Sequence, residues 1–80
     1  IYTGDLCIHC EWAMDFLNKK NIEFTEYNIA KDALKKEEMF KKSNGAKTVP
    51  QIFIGKHHVG GNTELRALDR EGKLESLLGI

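Results

Sequence analysis

Apolar and polar positions along the chain follow two rhythms, one helical and one extended. Ile1-Tyr2-Thr3 is β-prone and reads as the end of a first strand, stopped by Gly4-Asp5. From Cys7 to about Lys20, Cys10, Ala13, Phe16 and Leu17 share one helical face, with Glu11, Asp15, Asn18 and Lys19 mostly on the other. A second strand is expected between Ile22 and Ile29, where Ile22, Phe24 and Glu26 alternate with Glu23, Thr25 and Tyr27. Residues from about Lys31 to Lys42 are rich in Ala, Leu, Lys, Glu and Met, all good helix formers, and Ser43-Asn44-Gly45 supplies the stop. Gln51 to Ile54 reads as a third strand directly after Pro50, and Gly55-Lys56 as the turn into a fourth, His57 to Val59. Gly60-Gly61 ends it. Asn62 or Thr63 is placed to cap a helix running to about Asp69, and Glu71 to Leu78 gives a final helix before Gly79.

The order β-α-β-α-β-β-α, with a last short helix, defines an α/β fold. Two early β-α units favour a parallel pair joined by a right-handed crossover. The later two-residue turn requires an antiparallel pair. The expected result is a four-stranded mixed sheet flanked by helices, in one domain spanning residues 1–80.

Composition narrows the function. Twelve Lys plus Arg balance twelve Asp plus Glu, so there is no basic face of the kind a nucleic-acid module carries. No apolar run approaches the roughly 20 residues that cross a bilayer. The chain opens without a basic and apolar leader pattern. The expected setting is therefore cytoplasmic, with neither nucleic acid nor membrane as a partner, and the chain is expected to be a monomer.

The two cysteines, Cys7 and Cys10, are three apart. A bridge between them closes too small a loop to constrain the unfolded chain, so it is no structural staple. The spacing points to redox chemistry or metal binding. Cys7 sits where a strand ends and a helix begins, facing unpaired N–H groups and the positive end of the dipole. That placement favours thiolate over thiol and lowers the Cys7 pKa. Cys10 lies one turn inside the helix, on its apolar face, and is shielded. An exposed attacking thiolate and a resolving thiol follow. His57 and His58 point to opposite faces of a strand, so at most one can join the cysteines, and no metal site is expected. Trp12 and Phe16 read as core or half-covered surface, and the lysines between Lys31 and Lys42, with Glu37 and Glu38, as a solvated helix face. Gly60-Gly61-Asn62-Thr63 is a tight turn and a helix start, and its N–H groups also suit an anion.

Cys7-Ile8-His9-Cys10, Thr48-Val49-Pro50 and Gly60-Gly61-Asn62-Thr63 resemble, in order and spacing, the motifs of the glutaredoxin family. Glu37-Glu38-Met39 and Val49-Pro50-Gln51-Ile52-Phe53-Ile54 extend the resemblance over essentially the whole chain, closest to short bacterial dithiol members. It implies a thioredoxin-like fold and glutathione-dependent thiol–disulfide exchange, with Cys7 and Cys10 catalytic. It further implies a cis Val49–Pro50 bond, with the Val49 backbone pairing glutathione like an added strand. Glutathione would lie against His9, Thr48, Val49, Pro50, Gly61, Asn62 and Thr63, the last three holding its γ-glutamyl end. Glutathione is then a reductant and co-substrate, and no tightly bound cofactor is expected. Substrates would be protein disulfides and glutathionylated thiols.

Three positions depart from the commonest family pattern. Ile8 and His9 stand where Pro and Tyr are usual, and Gly4 where Lys is frequent. Losing that Lys removes a cation near Cys7, for which Lys36, Lys42 or Lys47 is a candidate replacement. A protonated His9 would favour the Cys7 thiolate and make the disulfide more oxidising. Two alternatives follow from the same resemblance. One is an electron donor to ribonucleotide reductase, itself reduced by thioredoxin reductase. The other is a [2Fe–2S] cluster shared between two protomers through the first cysteine and glutathione.

Overall fold

Helix α1 spans Ile8–Lys19 and buries Cys10, Ala13 and Leu17, a stripe at the three- and four-residue spacing of one helix face. The computed structural model describes residues 1–79; residue 80, the last of the expected domain, lies outside the described residues. Around α1 run β1 (Tyr2–Thr3), β2 (Tyr27–Asn28), α2 (Ala33–Lys42), β3 (Ile52–Ile54), β4 (His57–Gly60), α3 (Asn62–Arg70) and α4 (Leu74–Leu78). This is the α/β order expected from the sequence. Three helices end alike. After α1, α2 and α3 a residue at positive φ (Asn21, Asn44, Gly72) turns the chain, and the next N–H bonds back to Leu17, Phe40 and Leu68. That is the Schellman stop, which satisfies carbonyls the helix leaves open.

In place of the expected four-stranded sheet, the four strands form two two-stranded ladders, because β1 is only two residues long and meets the β3 side at one position. β1 pairs in parallel with β2, Tyr2 opposite Tyr27 and Thr3 opposite Asn28; β3 pairs antiparallel with β4. A single bridge joins them, Tyr2 N donating to Gln51 O at 2.8 Å and Gln51 N to Tyr2 O at 3.0 Å. Gln51 thus belongs to the junction, and the third strand begins at Ile52.

Several expected boundaries shift, each for a local reason. The second strand is confined to Tyr27–Asn28, because β1 offers only two residues to pair with. Residues 22–26 lie outside the ladder, yet Ile22 and Phe24 still pack on the core. Asp32 takes the N-cap of α2, its carboxylate accepting from Leu34 N and Lys35 N, so that helix starts at Ala33. The cap of α3 is neither Asn62 nor Thr63 but Gly61, whose N–H donates to Glu64 Oε1 at 2.6 Å. α4 starts at Leu74, three residues later than expected, because Gly72 at φ +72° ends α3 first.

Ile1, Ala13, Leu17, Ile52, Leu65 and Leu74 form the core between α1, α3, α4 and the sheet. No helix among the described residues is long and apolar enough to cross a membrane. The opposite sheet face is held differently. Tyr2, 3% exposed, donates its hydroxyl to Glu38 Oε1, and Glu38 also pairs with Lys35 Nζ (3.1 Å) and Lys42 Nζ (3.2 Å). Lys35 Nζ lies 4.2 Å from the centre of the Tyr27 ring. The expected solvated face of α2 is therefore, at Lys35, Glu38 and Lys42, the face that ties α2 to β1 and β2. The Tyr2 hydroxyl and the two ammonium groups hold the Glu38 carboxyl down from 4.5 to about 2.

A depressed carboxyl stabilises the fold fully above its unfolded pKa and loses that contribution as pH falls through its folded value. The melting-temperature advantage of wild type over Glu38→Gln should hold from neutral pH to about 5 and shrink as pH falls towards about 2. Thermal melts of both proteins across that range check it; a constant gap would detach the network from Glu38 ionisation.

Candidate active site

The site grows from the start of α1. Cys7 is its N-cap, extended at φ −110° and ψ 101°, and Cys10 N donates to Cys7 Sγ at 3.1 Å. Leu6, directly before it, adopts φ +52° and leaves its side chain fully exposed. Ile8 is also half exposed, so apolar side chains flank Cys7 on both sides, a rim the sequence pattern does not reveal. The chain turn presents Cys7 partly to solvent while Cys10, 1% exposed, is built into the core side of α1. The two are bonded as a disulfide with Cα atoms 5.2 Å apart. An N–H directed at sulfur, added to the positive end of a helix, favours negative charge on Cys7 once the bond is reduced.

Val49 approaches this sulfur through its carbonyl. Val49 O lies 3.7 Å from Cys7 Sγ, and the Val49–Pro50 peptide is cis. Val49 precedes β3 and takes no part in its ladder. Gly4 belongs to the same approach: a Cβ there would lie 3.1 Å from Val49 Cγ2, so the residue replacing the usual Lys lets Val49 pack closely.

A β-bulge brings in the third segment. Ile52 opposes Gly60 while Phe53 opposes His58, so Val59 is the extra residue of β4. Gly60 takes φ +113°, where a Cβ would sit 2.9 Å from Glu64 Oε1, which makes glycine necessary at this turn. Gly61 then lies beside the Pro50 carbonyl and caps α3, its own N–H held by Glu64.

The outcome is an open cleft of about 400 Å³ that includes Val49, the neighbour of Cys7 Sγ, while neither cysteine is among its lining residues. Every residue the sequence assigns to glutathione lines it: His9 from α1, Thr48, Val49 and Pro50 from the segment before β3, and Gly61, Asn62 and Thr63 from the start of α3. His58 and Gln51 line it too, which the sequence pattern does not foresee. His57 does not, so the two histidines part company as the strand geometry requires. His9 meets the half-exposed Trp12 edge-on, ring centres 5.2 Å apart. Phe16 instead packs against the core, beneath Arg66 and Lys20. Among the three lysines weighed against Gly4, Lys42 is bound to Glu38. Lys36 and Lys47 line an apolar groove that meets the cleft at Ala46.

A redox pair at a helix start, the Val49 carbonyl beside its sulfur and a mixed α/β scaffold define a thiol–disulfide oxidoreductase of thioredoxin-like fold. The glutaredoxin family model matches residues 1–59. Glutaredoxin 3 of Escherichia coli K12 is 47% identical over 78 residues, 98% of this chain and 93% of that protein. The solution structure of a Brucella melitensis glutaredoxin superposes with a TM-score of 0.79 at 44% identity, covering 96% of this chain and 83% of that one. A buckwheat glutaredoxin–glutathione complex superposes with a TM-score of 0.84 at 20% identity, covering 98% and 73%, a likeness of fold. The chain belongs to the glutaredoxin family.

Proposed function

We propose that the protein is a glutathione-dependent oxidoreductase acting on glutathionylated thiols and protein disulfides. The observation that carries this reading is the cleft itself. His9, Thr48, Val49, Pro50, Gly61, Asn62 and Thr63 come from three separated segments and line one cavity of about 400 Å³, which reaches Cys7 through Val49, whose carbonyl lies 3.7 Å from the sulfur. Its chemistry suits a γ-glutamyl tripeptide. Main-chain groups at Val49 offer strand-like pairing to a peptide backbone, and the start of α3 offers N–H donors to a carboxylate. The complex of the buckwheat relative with glutathione supports the assignment. Lys36 or Lys47, across Ala46, would supply the cation that Gly4 does not.

The exchange proceeds by thiolate attack. The Cys7 thiolate attacks the glutathionyl sulfur of a modified protein, forming a Cys7–glutathione disulfide and releasing the protein thiolate. A second glutathione thiolate attacks that bond, frees Cys7 and leaves as oxidised glutathione. On a protein disulfide, Cys7 forms the mixed disulfide and releases one substrate thiolate. The Cys10 thiolate then displaces the second, giving the Cys7–Cys10 disulfide of this structure. Two glutathiones reduce it. A cytoplasmic setting, rich in thiol reductant, fits this cycle. Partners are proteins with accessible disulfides, ribonucleotide reductase among the candidates.

The deciding experiment compares reductants for the oxidised protein, glutathione with glutathione reductase against thioredoxin reductase. Faster turnover with glutathione is expected. A clear preference for thioredoxin reductase would overturn the proposal and favour the thioredoxin-reductase-linked electron donor.

A further inference from the structure

Thr48, at the cleft, is tied into a line of three side chains, of which Gln51 and His58 also line the cleft. Gln51, 6% exposed, donates its side-chain amide to the Thr48 carbonyl at 3.0 Å and to Thr48 Oγ1 at 3.3 Å. With Nε2 committed to two acceptors, Oε1 faces the other way and lies 2.6 Å from His58 Nε2. An amide oxygen only accepts, so the network assigns a proton to His58 Nε2, which donates in either the neutral or the charged ring. The His58 residue is exposed, and its ring has a second partner. It stacks on Phe53, its partner across the β3–β4 ladder, with centres 4.6 Å apart and planes 18° from parallel. The Gln51 backbone is anchored independently through both of its bonds to Tyr2. The side chain is therefore the adjustable part of this junction, and His58 restrains it.

We propose that His58 is a positioning residue, which through Gln51 sets the orientation of the Thr48 carbonyl and hydroxyl at the cleft. Thr48 Oγ1 accepts from Gln51, which leaves its own O–H to donate to an acceptor on the bound ligand. Without the His58 donor, Gln51 Oε1 loses its partner, and its amide is free to turn over and present an oxygen to the Thr48 carbonyl, two acceptors face to face. The loop between Thr48 and Pro50 would then lose a defined geometry on the side that meets substrate. This inference rests on the reading of the cleft as the glutathione site.

Two variants separate the donor from the bulk of the ring. His58→Phe keeps the stack on Phe53 and removes the N–H; His58→Gln keeps an N–H at similar reach. On a glutathionylated peptide, His58→Phe should raise KM about 3–10-fold, the range of one net hydrogen bond, with kcat within about twofold. His58→Gln should recover most of that loss. Amide exchange of the Gln51 side chain, followed by NMR without substrate, should quicken in His58→Phe and stay near wild type in His58→Gln. Unchanged exchange and KM in His58→Phe overturn the proposal, as does equal impairment in both variants. Wild type inactive on the glutathionylated peptide overturns the glutathione reading; quickened Gln51 exchange in His58→Phe still supports the positioning role in that case.

Discussion

Cys7→Ser should abolish disulfide reductase activity, a loss on the order of a thousandfold or more, because the remaining thiol, Cys10, is buried away from substrate. Cys10→Ser should behave differently. Cys10 is 1% exposed, so its sulfur cannot meet an incoming substrate; it reaches only Cys7, to which it is bonded in this structure. In the proposed cycle its loss removes the resolving step for protein disulfides and leaves the step assigned to glutathione. Deglutathionylation by Cys10→Ser should therefore persist within about tenfold of wild type, while turnover of a protein disulfide collapses. Steady-state assays of wild type and both variants on a glutathionylated peptide and on a protein disulfide read this split. Retained activity in Cys7→Ser on either substrate would remove Cys7 from the nucleophile's role. Loss of both activities in Cys10→Ser would mean that glutathione cannot reach the Cys7 mixed disulfide, and the open cleft would need another occupant.

Helix α1 and the place of both cysteines were legible because a helix writes its buried face into the spacing of Cys10, Ala13 and Leu17. The second strand was not. Alternation from Ile22 to Tyr27 records which side chains face the core, and Ile22 and Phe24 do so. It says nothing of whether a neighbouring strand is long enough to pair, and β1 is not. Nor could the charge pattern of α2 show that Lys35, Glu38 and Lys42 meet a tyrosine 36 residues before Glu38. The Gly61 cap had a readable signal, since Glu64 stands three residues on, where a capping carboxylate belongs; a glycine without a side chain simply attracts less notice than Asn62 or Thr63. The three segments of the cleft came from motif resemblance. What brings them together, a bulge at Val59 and the bridge between Tyr2 and Gln51, is a matter of register that local sequence does not encode. His58 was missed for the same reason. Strand alternation assigns it a face, but only the bulged register brings it to Gln51.

Leu65→Ala should be the most damaging core substitution tested by simple truncation, with a loss of about 2–5 kcal/mol. Leu65 is completely buried and is the buried residue of α3, held among Ala13, Leu17, Ile52 and Leu74. A domain of this length has a total stability of about 4–12 kcal/mol, so the loss is a large fraction of the whole. At roughly 4–8 °C per kcal/mol for a chain of this size, the melting temperature should fall by about 8–40 °C. Leu34→Ala is the control: that side chain is 78% exposed on α2, and its truncation should change stability by no more than about 0.5 kcal/mol. Urea unfolding of the two variants beside wild type measures both values. Equal midpoints for Leu65→Ala and wild type would show that α3 is not seated as described. The consequence reaches the site, because the first turn of α3 carries Asn62 and Thr63 directly after Gly61. One wall of the cleft is thus only as firm as the packing of Leu65 beneath it, and a variant that keeps Cys7 and Cys10 intact should still weaken ligand binding when that packing is removed.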